Sequence, residues 1–131
     1  MGKMKLLDKK VAITGASSGI GRATALRMAM EGADVALIAR NRERLDEVAD
    51  AVRALGRKAV VIEADVTDAE EIKRAVDTAI EALGGLDVFH CNAGIYLRCP
   101  AKDLRMDQIR KLMEVIYFGC VNCVYAVLPC F

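Results

Sequence analysis

Apolar positions along the chain alternate between short continuous runs and stripes at helical spacing. Val11-Ala12-Ile13-Thr14, Val35-Ala36-Leu37-Ile38-Ala39, Ala59-Val60-Val61-Ile62 and Leu86-Asp87-Val88-Phe89-His90-Cys91 are the runs. All four are read as strands, and the unbroken run Val35–Ala39 is that of a strand covered on both faces, which loses its apolar–polar alternation. Between them, Gly19 to Glu31 reads as a helix stopped by Gly32. Asn41 is placed to cap a second helix, with Leu45, Val48, Ala49, Val52 and Leu55 on one stripe and Gly56 at its end. Thr67-Asp68-Ala69-Glu70 has the form of a capping box led by Thr67. Behind it, Ile72, Ala75, Val76, Ala79, Ile80 and Leu83 line one face as far as Gly84-Gly85. Helices alternating with strands predict an α/β fold, a parallel sheet joined by right-handed crossovers.

The last segment breaks the alternation. Asp107 to Leu128 reads as one long helix that Pro129 helps to end, and no residue from Val115 to Phe131 is charged. That run is at the lower limit for a bilayer span. It contains Asn122, Tyr117, Tyr125 and Pro129 and lacks a basic flank on its far side, so a buried helix or a subunit contact is expected and no membrane association.

Composition narrows the picture. The 131 residues carry 19 Lys plus Arg against 18 Asp plus Glu, a net charge of +1, which gives no footprint for nucleic acid. With 54% hydrophobic and 28% charged residues, the chain is expected to fold as a packed globule, one domain spanning 1–131. The five cysteines, at 91, 99, 120, 123 and 130, come without a secretory signal and are read as reduced thiols of a cytoplasmic protein.

The chemistry is concentrated after the first strand. Thr14-Gly15-Ala16-Ser17-Ser18-Gly19-Ile20-Gly21 stands between strand and helix with the spacing Gly-x3-Gly-x-Gly. Gly15 permits a sharp turn, Gly19 a close approach of backbone to a pyrophosphate, and Gly21 close packing of helix on sheet. Free amides and the helix dipole then favour phosphate. A P-loop needs Gly-x4-Gly-Lys, and Ile20 stands where its second Gly would be. At the end of the second strand, where an NAD-dependent dehydrogenase commonly carries a carboxylate for the ribose 2′-hydroxyl, the chain has Ala39-Arg40. A guanidinium pairs with a phosphate, so NADP is favoured over NAD, with Ser17 as an assisting hydroxyl.

These residues resemble the short-chain dehydrogenase/reductase superfamily. The glycine-rich turn looks like its cofactor turn, Asp65-Val66 after the third strand like its adenine-contacting pair, and Asn92-Ala93-Gly94 after the fourth like its Asn-Ala-Gly element. Leu128-Pro129 fits as well. The resemblance implies a Rossmann-like sheet in the order 3-2-1-4, truncated relative to the full family fold. It implies that Gly15, Ser17, Ser18, Gly19 and Ile20 line the phosphates and ribose, and that Gly21 supports packing. Asp65 would accept from the adenine amino group beside the Val66 amide. Asn92 would act through backbone and strand contacts, with Ala93 beside it and Gly94 giving room.

Two departures shape the expected function. The family's Asn in the long helix falls on Ile116, three residues before Gly119, and Ile has no hydrogen-bonding side chain. The family's Tyr-x-x-x-Lys is missing: the fourth residue after Tyr96 is Pro100, after Tyr117 Val121, and after Tyr125 Pro129. The expectation is the cofactor-binding portion of an oxidoreductase without the acid–base pair, hence without a catalytic residue of its own. A non-catalytic nucleotide-binding or structural scaffold is the alternative. A homo-oligomer through the long helix or the edge of the fourth strand is also expected.

Other candidates are weaker. Cys120-x-x-Cys123 lies within an apolar helix, and the only histidine, His90, is in a strand, so packing or interface thiols are expected there and no metal site. His90 is expected to be a satisfied strand residue. Asp34 and Asp87, at strand starts, lie at the end of the sheet away from ligand chemistry.

Overall fold

The computed structural model describes residues 2–131. Its elements are β1 (Lys10–Thr14), α1 (Gly19–Met30), β2 (Asp34–Ala39), α2 (Arg42–Ala54), β3 (Ala59–Glu63), α3 (Ala69–Leu83), β4 (Val88–His90), α4 (Met106–Met113) and α5 (Gly119–Val127). A π-helical turn, Glu114–Phe118, joins α4 to α5. The four strands form one sheet in the order β3-β2-β1-β4, and every neighbouring pair is parallel. Ile13 pairs with Leu37 on one side and with His90 on the other.

The pleat divides the apolar runs between two cores. Val11, Ile13, Val35 and Leu37 point to one face, where Ala25 and Ala29 of α1 and Leu45, Val48 and Val52 of α2 cover them. Ala12, Ala36, Ile38 and Ile62 point to the other, against Ile72, Val76 and Ala79 of α3 and Cys123 and Val127 of α5. Burying one such Val, Leu or Ile contributes about 1.5–3 kcal/mol. The chain therefore covers one face with α1 and α2 while it builds β1 to β3. It then returns to the free side of β1 through α3, which lies on the opposite face.

Local chemistry moves several expected boundaries. Asn41 caps α2 as expected, its Oδ1 accepting from the Arg44 N–H at 3.1 Å. The third helix is capped by Asp68 and not by Thr67. Asp68 Oδ1 accepts from the N–H groups of Glu70 and Glu71 at 3.0 and 3.1 Å. A carboxylate is a strong acceptor at the positive end of a helix. Thr67 instead donates its hydroxyl to Asp65 Oδ1 at 2.8 Å. Leu55 is 45% exposed, because α2 ends at Ala54 and Leu55 falls past its buried stripe. The fourth strand covers only Val88–His90. At its start the Asp87 carboxylate takes the Lys10 N–H at 2.8 Å, where ladder pairing would need a backbone carbonyl.

The long helix also differs from expectation. Helical structure runs from Met106 to Cys130, long and apolar enough by length and composition to cross a membrane. Only a narrow stripe of α5 is buried: Gly119, Cys123 and Val127. A Cβ on Gly119 would lie 2.7 Å from Val66 Cγ2, so the helix touches the loop after β3 where it has no side chain. Ile116, Tyr117, Phe118, Tyr125 and Leu128 are exposed.

At the amino ends of the strands, Asp34 anchors a polar cluster. Its carboxylate meets Lys10 Nζ at 2.6 Å, an Arg57 guanidinium nitrogen at 3.0 Å and the Lys58 N–H at 3.0 Å. Burial pushes its pKa up, but the bonds from Lys10 and Lys58 and the Arg57 charge outweigh that and hold it below the ordinary carboxylate value. A lowered folded pKa contributes stability that is present above the unfolded value of about 3.9 and is lost as pH falls through the folded value. Asp34→Asn should therefore lose on the order of 2–3 kcal/mol at neutral pH. In urea titrations its stability should fall less steeply below about pH 4 than that of the parent chain.

Candidate functional site

At the carboxyl ends of the strands the strand order reverses between β1 and β4. α1 leaves one face of the sheet there and the segment after β4 leaves the other. Such a switch point opens a crevice in parallel sheets. Here it is held by hydrogen bonds. Thr14, 1% exposed at the end of β1, accepts at Oγ1 from the N–H groups of Asn92 at 3.0 Å and Ala93 at 3.1 Å. Asn92 Nδ2 donates back to the carbonyls of Thr14 at 3.1 Å and Gly15 at 3.3 Å.

Two glycines permit this closeness. Gly15 has φ +67°, and a Cβ there would lie 2.9 Å from Ala93 Cα. A Cβ on Gly21 would lie 2.2 Å from the Gly15 carbonyl oxygen and 2.5 Å from Asn92 Nδ2. The first turn of α1 thus sits directly on the loop it follows. Ser18, the N-cap, makes no side-chain cap, and the first turn contains no acidic residue. The amide donors at this helix start are therefore open to an anion. Gly19 has φ +55° with nothing within 4 Å of the position of a Cβ, which leaves space above the turn.

Above the turn lies a cleft of about 710 Å³. Gly15, Ser17, Ser18, Gly19 and Ile20 form one wall. Arg40 stands at the end of β2, Asp65 and Val66 after β3, and Asn92, Ala93 and Gly94 after β4. The sequence-derived residues are thus brought together around one space, except Gly21, which lies beneath it as packing. A side chain at Gly94 would make only ordinary contacts, the nearest being Ile116 Cγ1 at 3.8 Å, so packing within the chain does not demand a glycine there.

Asp65 is the anionic group of the cleft. The Thr67 N–H at 2.9 Å and hydroxyl at 2.8 Å both donate to its Oδ1. The Thr67 backbone bond first, then its hydroxyl and the Arg40 charge, outweigh partial burial and hold the Asp65 carboxyl below its usual range. It is a fixed acceptor. Beside it, the Val66 carbonyl accepts from Asn122 Nδ2 of α5 at 2.8 Å.

Sequence reasoning missed several lining residues. Arg44 reaches the cleft beside Arg40 and Asn41 because the Asn41 cap starts α2 at the rim; a basic residue three after a cap was the available signal. Tyr96, 86% exposed, and Val115 add an apolar margin near Ile20, which is 75% exposed. Thr14 carries the central bonds yet stood in the motif only as the residue before the glycine. His90 is not the satisfied strand residue expected: its Nδ1 is buried without a partner. Among the described residues no group of three or more His, Cys, Asp or Glu is placed to hold a metal ion.

Comparison with known proteins identifies this arrangement. The family model described as short chain dehydrogenase matches residues 9–131. The chain belongs to that family. An uncharacterized oxidoreductase of Listeria monocytogenes is 39% identical over 128 residues, which are 98% of this chain and 52% of the relative. A short-chain dehydrogenase of Burkholderia cenocepacia, solved in complex with NADP, superposes with TM-score 0.90 at 38% identity, covering 97% of this chain and 52% of that one. An NAD+-bound xylitol dehydrogenase gives TM-score 0.92 at 33% identity, covering 96% and 49%. The chain spans about half the length of the family relatives it matches, and its four-stranded sheet is the Rossmann-like one of that family.

The two helix-start glycines should respond differently to a methyl group. Gly21→Ala meets backbone that cannot move aside and should lower stability by more than about 2 kcal/mol. Gly19→Ala has free space and should cost only about 1–2 kcal/mol for its left-handed backbone. Thermal unfolding of the two variants measures the difference.

Proposed function

We propose that residues 1–131 form the NADP(H)-binding portion of a short-chain dehydrogenase/reductase-like oxidoreductase. The observation that carries this reading is Arg40. It lines the cleft at the end of β2, a place with no carboxylate, and Arg44 stands beside it. A ribose 2′-phosphate seated there would meet two guanidinium groups, whereas a bare 2′-hydroxyl would find no acidic acceptor. The NADP complex of the Burkholderia cenocepacia relative supports the reading, and the NAD+-bound xylitol dehydrogenase keeps NAD as the competing nucleotide.

The remaining contacts follow from the geometry. The open amides at the start of α1, with the Ser17 and Ser18 hydroxyls, would hold the pyrophosphate. Asp65, kept ionised by Thr67, would accept from the adenine amino group. Ile20, Gly94 and Tyr96 would border the nicotinamide end. When bound, the dinucleotide supplies a hydride donor or acceptor for a carbonyl or alcohol. The proton needs a separate acid–base pair, and no tyrosine in the chain has Lys four residues on. That observation favours the non-catalytic binding module as the second reading for these residues by themselves. The exposed apolar side of α5 favours a homo-oligomer, and the reduced thiols a cytoplasmic setting.

Nucleotide titration tests the assignment. Arg40→Asp should weaken NADPH binding about tenfold more than NADH binding. Equal losses would remove Arg40 from the 2′-phosphate, and no binding of either nucleotide at millimolar concentration would remove the cofactor. Turnover with a panel of ketones should be absent for the 131 residues alone. Light scattering should give a mass above that of the 14.2 kDa monomer.

A further inference from the structure

A second, smaller cavity of about 270 Å³ lies behind the cleft, between the end of β4 and α5. Three of its lining residues are cysteines: Cys91, Cys120 and Cys123. Cys120 and Cys123 are one turn apart on α5 and share a face. Cys91 comes from the chain just past β4, more than twenty residues away in sequence. The fold therefore brings thiols from two elements to one place, which sequence spacing did not reveal. Cys91 is exposed and Cys123 is 1% exposed, so an outside reagent reaches the pair from one side only.

The nearness of Cys123 first, then desolvation, pushes the Cys91 thiol well above its ordinary value, so Cys91 rests as a neutral thiol that lines one cavity with Cys120 and Cys123. Because no group of three or more potential ligands among the described residues is placed to hold a metal ion, chemistry between two sulfurs is what the site offers.

We propose that Cys91 and Cys123 are a dithiol modification site that closes to a reversible disulfide by exchange with low-molecular-weight disulfides. In the first step the Cys91 sulfur, losing its proton to solvent, attacks one sulfur of the small disulfide. A mixed disulfide forms and one small thiol leaves. In the second, the Cys123 sulfur attacks the Cys91 sulfur of that mixed disulfide and releases the second small thiol. The two protein thiols are oxidised by two electrons and the small disulfide is reduced by two. Attack at the exposed partner followed by resolution from the buried one fits their accessibilities, and because Cys91 rests protonated the exchange is slow at neutral pH and speeds up as pH rises. Cys99 and Cys130, both outside this cavity, have no such resolving partner in it. The proposal does not rest on the dinucleotide reading.

The site can be read by mass. The folded chain is incubated with glutathione disulfide at mildly alkaline pH, alkylated and digested with trypsin. Cys91 then lies in peptide 75–98, while Cys120, Cys123 and Cys130 lie in peptide 112–131. The two peptides should appear joined, and dithiothreitol should separate them. The joined pair should persist in Cys120→Ser and Cys130→Ser and vanish in Cys123→Ser. The double variant Cys120→Ser, Cys130→Ser retains both proposed partners and leaves Cys123 alone in its peptide. Joining in that variant places the bond directly, even where Cys123→Ser fails to fold. Glutathione adducts on Cys91 without joining, or joining that survives Cys123→Ser, would overturn the proposal.

Discussion

The carboxyl end of β1 is organised by four hydrogen bonds between Thr14-Gly15 and Asn92-Ala93. They pair the polar groups of a part-buried junction, of which the Thr14 hydroxyl, on a buried residue, would cost about 1–3 kcal/mol if left without a partner. They fix how close the chain after β4 comes to the chain after β1. That distance in turn decides which residues can stand at 15 and 21, because a side chain at either would occupy the space of the other strand's backbone or amide. The direction of α1, the openness of its first-turn amides and the floor of the cleft all follow from the same closeness. A neutral side chain of Thr and one of Asn do the work that an ion pair would do less specifically.

Charge is distributed differently from its total. A net charge of +1 gave no hint of local fields. The structure sets Arg40 and Arg44 on one rim of the cleft and Asp65 on another, with Arg40 acting on Asp65 through space. The amino end of the sheet holds a second concentration, Asp34 among Lys10, Arg57 and Lys58, which serves only to tie strands together. Two carboxylates with lowered pKa values thus have opposite uses. One has every neighbour within the chain; the other faces a cavity.

Much of this was legible in the residues. Runs such as Val35 to Ala39 announce strands because both faces of a parallel sheet are covered, and the glycine spacing announces the turn because only a residue without Cβ tolerates it. Asn41 was legible because a cap acts over three residues. What escaped required distance information. Thr67 and Asp68 are both acceptable caps, and the choice falls to Asp68 because Thr67 is drawn to Asp65. The length of β4 depended on Asp87 competing for the Lys10 N–H across the sheet. The π-helical turn at Glu114–Phe118 has no periodic signature of its own. Arg44 looked like a surface cation because its position depends on where α2 begins relative to the rim.

Val66 occupies a singular position. One side of the cleft is bonded strand to strand, but Val66 leans on α5 through the contact at Gly119 and the bond from Asn122. The two sides are therefore supported differently. The glycine turn is braced by bonds to the chain after β4, whereas the opposite wall takes its position from α5, so the one helix that carries the bare apolar face also sets where Val66 stands beside the cleft.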